Sequence, residues 1–240
     1  PDGTPRDIPP HNPSEVCNAI VRMIDDPEIT VESLMKSVRA PDFPTGATIM
    51  GREGVKSAYT TGRGQIVVRA TAEFEQLKRS NRMAIVVTEL PYQVNKSSLI
   101  EKIAALAKSK QIDGIADLRD ESDRHGMRIV MELRPGAQAL VILNNLYKYT
   151  AMQSNFSANM LALVDGSPKV ITLKQALQHY IGFRKEVVTR RSRYELKKAR
   201  GRAHILEGLR TALQFLDDII ALIRSAKDVE SARQGLMSSY

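Results

Sequence analysis

The chain has 240 residues, 42% hydrophobic and 26% charged, enough apolar material for one large core or two modest ones and too much for a disordered chain. Its charge is 35 Lys and Arg against 27 Asp and Glu, with a single cysteine, Cys17. No run of about 18 apolar residues occurs, so no membrane-spanning helix is expected. The lone cysteine excludes an internal disulfide and a cysteine-built zinc site, and fits a reducing compartment, the cytoplasm.

Residues 1–13 hold five prolines and no periodicity, an extended lead-in. From Pro13 a helix is predicted, with Val16, Ala19, Ile20, Met23 and Ile24 at its apolar positions and Asp26-Pro27 as its stop. A short helix from a Thr30 cap to about Lys36 follows. Beyond Pro41 the period becomes that of strands: "QIVVRATAEFE" and "RMAIVVTEL", separated by "QLKRSN", predict a hairpin. "SSLIEKIAALAKSK" predicts a helix capped by serine, with Leu99, Ile100, Ile103 and Leu106 facing a core. "MRIVMEL" reads as a strand, "AQALVILNNLYKY" as a helix, and "ANMLALVDGSPKVIT" as two strands joined by Asp165-Gly166. This order implies an α+β fold, an antiparallel or mixed sheet with helices on one face, followed by a long coiled-coil helix.

That helix starts after Thr172 and is predicted to run about fifty residues, with Gly182, Gly201 and Gly208 as its weak points. Leu206, Leu209, Leu213, Leu216, Ile220 and Ile223 recur at the alternating three- and four-residue steps of a coiled-coil seam. Traced backwards, the seam falls on Arg202, Ala199, Glu195 and Ser192 and fades. A stripe of this kind needs a partner helix, and the chain reads as one arm of a helical hairpin. Within the arm, "RRSRYELKKARGR" (190–202) packs seven cations against Glu195, which leaves 28 basic and 26 acidic residues elsewhere. The positive field is local rather than global. Alone, this stretch fits either a surface for a polyanion or a solvated helix flank.

Candidate chemistry is sparse. "TGRGQ" (61–65) lacks the pattern of a nucleotide-phosphate loop, and reads as a helix-to-strand turn or as a loop bringing Arg63 to a phosphate. "DLRDESDRHGMR" gathers Asp117, Asp120, Glu121 and Asp123 but fails the calcium-loop spacing. Its Arg119, Arg124 and Arg128 point to self-neutralisation. His11, His125, His179 and His204 show no metal-ligand spacing, and no nucleophile elbow is present. "IPPHN" (8–12) is more suggestive. Pro9-Pro10 would hold Ile8 on a stiff arm, either to anchor that arm on a core or to wedge an apolar group between base pairs.

Taken in order, "IPPHN", "PDFPTG" (41–46), "YTTGRG" (59–64), "TELPYQVNK" (88–96), "DLRDESDRHGMRI" (117–129), "NNLYK" (144–148), "NMLALVDG" (159–166), "RKEVVTRR" (184–191) and "RAHILEGL" (202–209) resemble the A subunit of bacterial DNA gyrase, with topoisomerase IV as the near alternative. The resemblance runs from Ile8 to about Arg224. It implies part of a type IIA topoisomerase, which breaks one duplex through tyrosyl-phosphate bonds and passes another through. ATP and Mg2+ would be bound by the partner B subunit, with no cofactor or metal in this chain.

Residues 1–30 would then close the DNA-binding lead-in, 31–172 form the tower beside the cleaved duplex, and 173–240 begin the exit gate where two A subunits meet. The resemblance makes Ile8 an intercalating residue and Asn12 a DNA contact. Arg63 and Lys96 join them as DNA-binding candidates on their charge and expected loop placement. The family's nucleophilic Tyr belongs to an Arg-Tyr-Thr motif ahead of "IPPHN", and "PDGTPRD" does not match that region. Tyr149 and Tyr194 lie in other contexts, so the chain is expected to have no catalytic residue. Duplex DNA, the gyrase B subunit, plus a second copy of the A subunit, are the expected partners. The alternative is a purely structural, dimerising module without DNA affinity.

Overall fold

A computed structural model describes residues 8–77, 82–124 and 126–240. The chain divides into two compact units, one ending at His179 and the other beginning at Tyr180.

The first unit opens with α1 (Pro13–Asp25), where Pro13 occupies the first turn and the Asn12 side chain accepts from the Ser14 amide at 2.9 Å. Ala19 and Met23 form its buried stripe, and it stops at Asp26, before Pro27. Next, α2 (Val31–Leu34) is capped as expected by Thr30, whose hydroxyl accepts from the Ser33 amide. After β1 (Thr48–Met50) comes α3 (Glu53–Thr61), closed by Gly62 in the left-handed conformation.

The run expected to form one arm of a hairpin is two strands in two sheets. β2 (Arg63–Arg69) pairs with β1 and with β7 (Gln153–Asn159), giving an antiparallel sheet of order β1-β2-β7. After Ala70 the chain crosses into β3 (Thr71–Gln76), which pairs instead with β4 (Met83–Glu89). A carboxylate holds this crossover: Glu89 accepts from the Thr71 hydroxyl and the Ala47 amide, each at 2.7 Å. Those two bonds keep the Glu89 pKa below the usual carboxylate range. The β3–β4 pairing matches the expected hairpin, whose residues 78–81 lie outside the described residues.

The second sheet has the order β3-β4-β6-β5, with β5 (Ile115–Asp120) and β6 (Ile129–Leu133), and all its pairs are antiparallel. On one face Ile85, Val87, Ile129, Met131 and Leu133 meet the apolar stripes of α4 (Lys96–Lys108) and α5 (Ala139–Tyr149). Leu99, Ile103 and Leu106 come from α4, and Ile142, Leu143 and Leu146 from α5, so both helices lie on one face as expected. The α4 cap is Asn95, which accepts from the Ser98 amide, rather than the expected serine.

Strand β8 (Leu161–Val164) and β9 (Ser167–Val170) form the predicted hairpin, with Asp165 and Gly166 both at positive φ. The α+β class and antiparallel pairing hold. Among the described residues the expected single sheet is three, because β1, β5 and β7 add partners that their sequences do not advertise.

Helix α6 (Leu173–Gln214) is nucleated by a reciprocal pair: the Thr172 amide donates to Gln175 Oε1 at 2.9 Å and the Gln175 amide to Thr172 Oγ1 at 3.2 Å. It passes through Gly182, Gly201 and Gly208 unbroken. The break comes instead at Phe215, ahead of α7 (Leu216–Ser225), and α8 (Val229–Ser239) then packs beside α7 with Gly235 against Leu222. The seam from Leu206 to Ile223 stays exposed, each of its six residues by 39% or more.

Candidate nucleic-acid interface

The lead-in is held by Pro9. That residue is buried, whereas Ile8 is 47% exposed, so the arm is anchored without burying Ile8 in the core. Two further ties fix it: the Pro10 carbonyl accepts from the Asp42 amide at 2.9 Å, and His11 Nε2 lies 2.7 Å from Tyr59 Oη. Tyr59 is fully buried on α3. Burial pushes the His11 pKa down, against smaller upward pulls from the Pro9 carbonyl, Glu15 and Asp42. The same burial pushes the Tyr59 phenol above its usual range. Phenol and imidazole therefore meet as two neutral groups sharing one hydrogen bond. Asn12 Oδ1 is committed to capping α1, which leaves its amide NH2 as the group for an outside contact.

Arg63 is the first residue of β2 rather than a loop residue, and the Thr61–Gln65 segment is the helix-to-strand turn. The Arg63 carbonyl accepts from Ser57 Oγ at 2.8 Å and Thr61 Oγ1 at 2.9 Å, while its side chain is exposed. Gly62 is required here, because a Cβ would lie 2.5 Å from Val170 Cγ1 and 2.7 Å from the Ile171 carbonyl. The arm and Arg63 are thus connected through α3, whose Tyr59 holds His11 and whose end launches Arg63.

Lys96 departs from its expected setting in two ways. It sits in the first turn of α4 rather than in a loop, and its Nζ is 2.6 Å from Asp120 Oδ2. The Lys96 bond first, and then the Ser122 hydroxyl and amide, pull the Asp120 pKa down to about 2. With its folded pKa depressed, Asp120 contributes stability above its ordinary value near about 3.9, lost as pH falls through about 2. In a pH titration followed by carboxyl NMR, Lys96→Met is expected to move the Asp120 midpoint back toward the ordinary value. An unmoved midpoint would show that the Ser122 bonds alone hold it down. The Lys96 charge is partly neutralised inside the protein before any ligand arrives.

The 117–128 motif is a strand, β5, and the turn beyond it, and it neutralises itself only in part, since Asp120 pairs with Lys96 and Arg128 with Glu75. Arg119 bonds Asp117 at 2.8 Å and Glu121 at 3.2 Å, while Arg128 grips both oxygens of Glu75 at 2.7 and 2.9 Å and reaches Glu121. Beneath them Glu132, nearly buried, meets Arg82 at 3.2 Å and Arg119 at 3.5 Å. These pairs cover the face of the second sheet opposite the helices, where Ala84, Val86 and Val130 form a thin apolar layer. Exposed pairs of this kind contribute at most about 1 kcal/mol each. Among the described residues no group of three or more His, Cys, Asp or Glu side chains could hold a metal ion; His125 lies outside them.

In the second unit the basic stretch of α6 is exposed along its whole length. Arg190 and Arg191 have weak helical partners, Glu186 at 3.6 Å and Glu195 at 3.8 Å. Arg193, Lys197, Lys198, Arg200 and Arg202 form no ion pair among the described residues. Counting charge along the chain missed a second basic surface, at Lys36, Arg39, Arg52 and Lys56. Acidic neighbours cancel each of its halves in a linear reading.

The chain matches the sequence model of the family formed by the A subunit of DNA gyrase/topoisomerase IV, over residues 3–239. It belongs to that family. It is 54% identical over 239 residues to the gyrase A protein of Dehalogenimonas lykanthroporepellens, a match that covers 99% of this chain and 29% of that protein. The gyrase A protein of Halalkalibacterium halodurans is 54% identical over 238 residues, again 99% of this chain and 28% of the relative. The chloroplastic/mitochondrial gyrase A protein of Arabidopsis thaliana is 48% identical over 239 residues, 99% of this chain and 25% of the relative. The chain therefore spans less than a third of the length of these gyrase A relatives. Among the described residues no helix is long and apolar enough to cross a membrane.

Proposed function

We propose that this chain is the part of a type II topoisomerase breakage-reunion subunit that holds and bends a DNA duplex beside the site of cleavage. The observation that carries the reading is Ile8, an exposed apolar side chain next to buried Pro9 on an arm tied by the His11–Tyr59 bond. A rigidly presented apolar wedge can unstack a base step, at a cost of a few kcal/mol offset by contacts along the bent duplex. Asn12 and Arg63 would contact the sugar-phosphate backbone near the wedge. Lys96 would do so only by giving up part of its Asp120 pair. Such contacts position the duplex without reading its sequence.

The parent enzyme, on this reading, changes DNA supercoiling by ATP-dependent double-strand passage. Its nucleophilic Tyr would come from the region ahead of the Ile8 arm, and ATP and Mg2+ belong to the B subunit. Leu173–Gln214 and the helices after it would form part of the exit gate between two A subunits. The unpaired cations of α6 would act there through counterion release, loosely and without base preference. The cytoplasm remains the expected compartment.

The decisive experiment is Ile8→Ala in the intact enzyme, with duplex bending followed by fluorescence resonance energy transfer. Bending is expected to be largely lost while the thermal stability stays within about 0.5 kcal/mol, since Ile8 is no part of the core. Bending equal to wild type would remove Ile8 from the mechanism.

A further inference from the structure

Apart from the arm and Arg63, the first unit carries a surface cavity of about 550 Å3 between the segment after α2 and the start of α3. Lys36, Arg39, Arg52 and Lys56 line it, against Glu32 and Glu53. All six are exposed, and none forms an ion pair among the described residues. Elsewhere in the unit Arg82, Lys96, Arg119, Arg128 and Arg134 have carboxylate partners. What marks this groove is that four cations line one cavity. Four cations against two carboxylates leave the lining with a formal charge of +2, a local field that favours an anion.

The groove is built on fixed elements. Leu34 and Val38 are fully buried beside Lys36 and Arg39, and Val55 is buried beside Lys56. Arg22 of α1 ties the first wall by donating to the Ser33 carbonyl at 2.8 Å and to Ser37 Oγ at 2.9 Å. The second wall is α3 itself, which carries the Tyr59 that holds His11. Lys56 precedes Tyr59 by one helical turn and Arg52 by two. At about 1.5 Å per residue the groove cations stand roughly 5–10 Å along α3 from the anchor of the Ile8 arm. Phosphates of one strand advance about 3.4 Å per base step, so that span along α3 equals about one to three base steps.

We propose that this groove is a second phosphodiester-backbone site, gripping the same duplex a few base steps from Ile8. The proposal rests on the duplex reading above and adds the residues that extend the contact past the wedge. Guanidinium forks at Arg39 and Arg52 match phosphate oxygens, and Lys36 and Lys56 add point charge. Continuity with the arm through α3 favours a nucleic-acid backbone over an acidic polypeptide.

The test uses the full chain and a labelled random-sequence duplex, with anisotropy measured across a salt series. The variant Lys36→Gln/Arg39→Gln/Arg52→Gln/Lys56→Gln is compared with Lys102→Gln/Lys108→Gln, which removes two exposed charges from α4. The groove variant is expected to reduce the slope of log affinity against log salt by roughly 2–4, at about 0.9 per phosphate released. Arg39→Lys/Arg52→Lys should retain most of the slope. A reduction no larger than that of the Lys102/Lys108 variant would overturn the groove and leave the duplex reading intact. No binding by the wild-type chain at the lowest salt would overturn both. Binding of poly-glutamate that the groove variant loses, with duplex binding unchanged, would reassign the groove to an acidic polypeptide. Should the fourfold variant fail to fold by thermal melting, Arg39→Gln and Arg52→Gln are tested singly, each expected to remove about one unit of slope.

Discussion

Gly54→Ala is expected to lower the melting temperature of this chain by roughly 6–12 °C, the effect of about 3 kcal/mol at about 2–4 °C per kcal/mol for a domain of this size. The reason is the close crossing of α3 over β2. A Cβ on Gly54 would lie 1.9 Å from the Gln65 carbonyl oxygen and 2.7 Å from its carbon, both backbone atoms that cannot rotate away. The opposite side is equally tight: a Cβ on Gly64 would lie 2.2 Å from the Gly54 carbonyl oxygen. Alanine would gain up to about 1 kcal/mol of helix propensity at Gly54, which is smaller than the packing cost. To make room α3 must lift off β2, and it carries Val55, Ala58 and Tyr59 out of the core. The control is Gly51→Ala, where nothing lies within 4 Å of the added Cβ and only the positive φ opposes the change. Differential scanning calorimetry of the two variants decides the matter. A Gly54→Ala protein as stable as wild type would mean that α3 can ride higher without loss.

Tyr59→Ala is expected to cost about 3–5 kcal/mol, the range for truncating a fully buried aromatic side chain. It also releases the arm, so duplex bending should fall even under conditions where the variant is folded. Tyr59→Phe separates the two effects, since it keeps the ring and deletes only the hydroxyl at 2.7 Å from His11 Nε2. Its expected cost is about 1–3 kcal/mol, that of leaving a buried polar group without its partner. If Tyr59→Phe bends DNA as wild type does, Pro9 and the Asp42–Pro10 bond suffice to present Ile8.

The same pair sets a pH dependence. Burial holds the native His11 pKa below its unfolded value near about 6.5. As pH falls below that value the unfolded chain takes up the proton first, so the native state is progressively disfavoured until its own, lower pKa is passed. Stability is therefore full above about pH 6.5 and declines on acidification. In His11→Gln, unfolding curves at about pH 7.5 and 5.5 are expected to lie closer together than in wild type.

Much of this architecture is legible along the chain because its signals are local. Asn12 before Pro13, Thr30 before Val31 and Asp165-Gly166 between two short strands are cap and turn signals that act within a few residues. The pairing of Arg119 is equally readable, since it finds Asp117 and Glu121 two residues to either side. Even the Ile8 arm announces itself, as one apolar residue before two prolines.

Signals of this range settle the type of most elements, the stiff arm and the α+β class. They do not reveal that the run from Arg63 to Gln76 divides at Ala70 between two sheets. That division depends on β7 and on contacts such as Arg69 to Gln153, 84 residues apart. Long-range packing likewise put Arg63 on a strand end, paired Lys96 with Asp120, and drew Lys36, Arg39, Arg52 and Lys56 around one cavity. Caps, turns and periodicity are energies of neighbouring residues, and a linear reading reaches them. Strand partners and convergent charges are settled when the chain closes on itself, by contacts whose two halves carry no mark of one another.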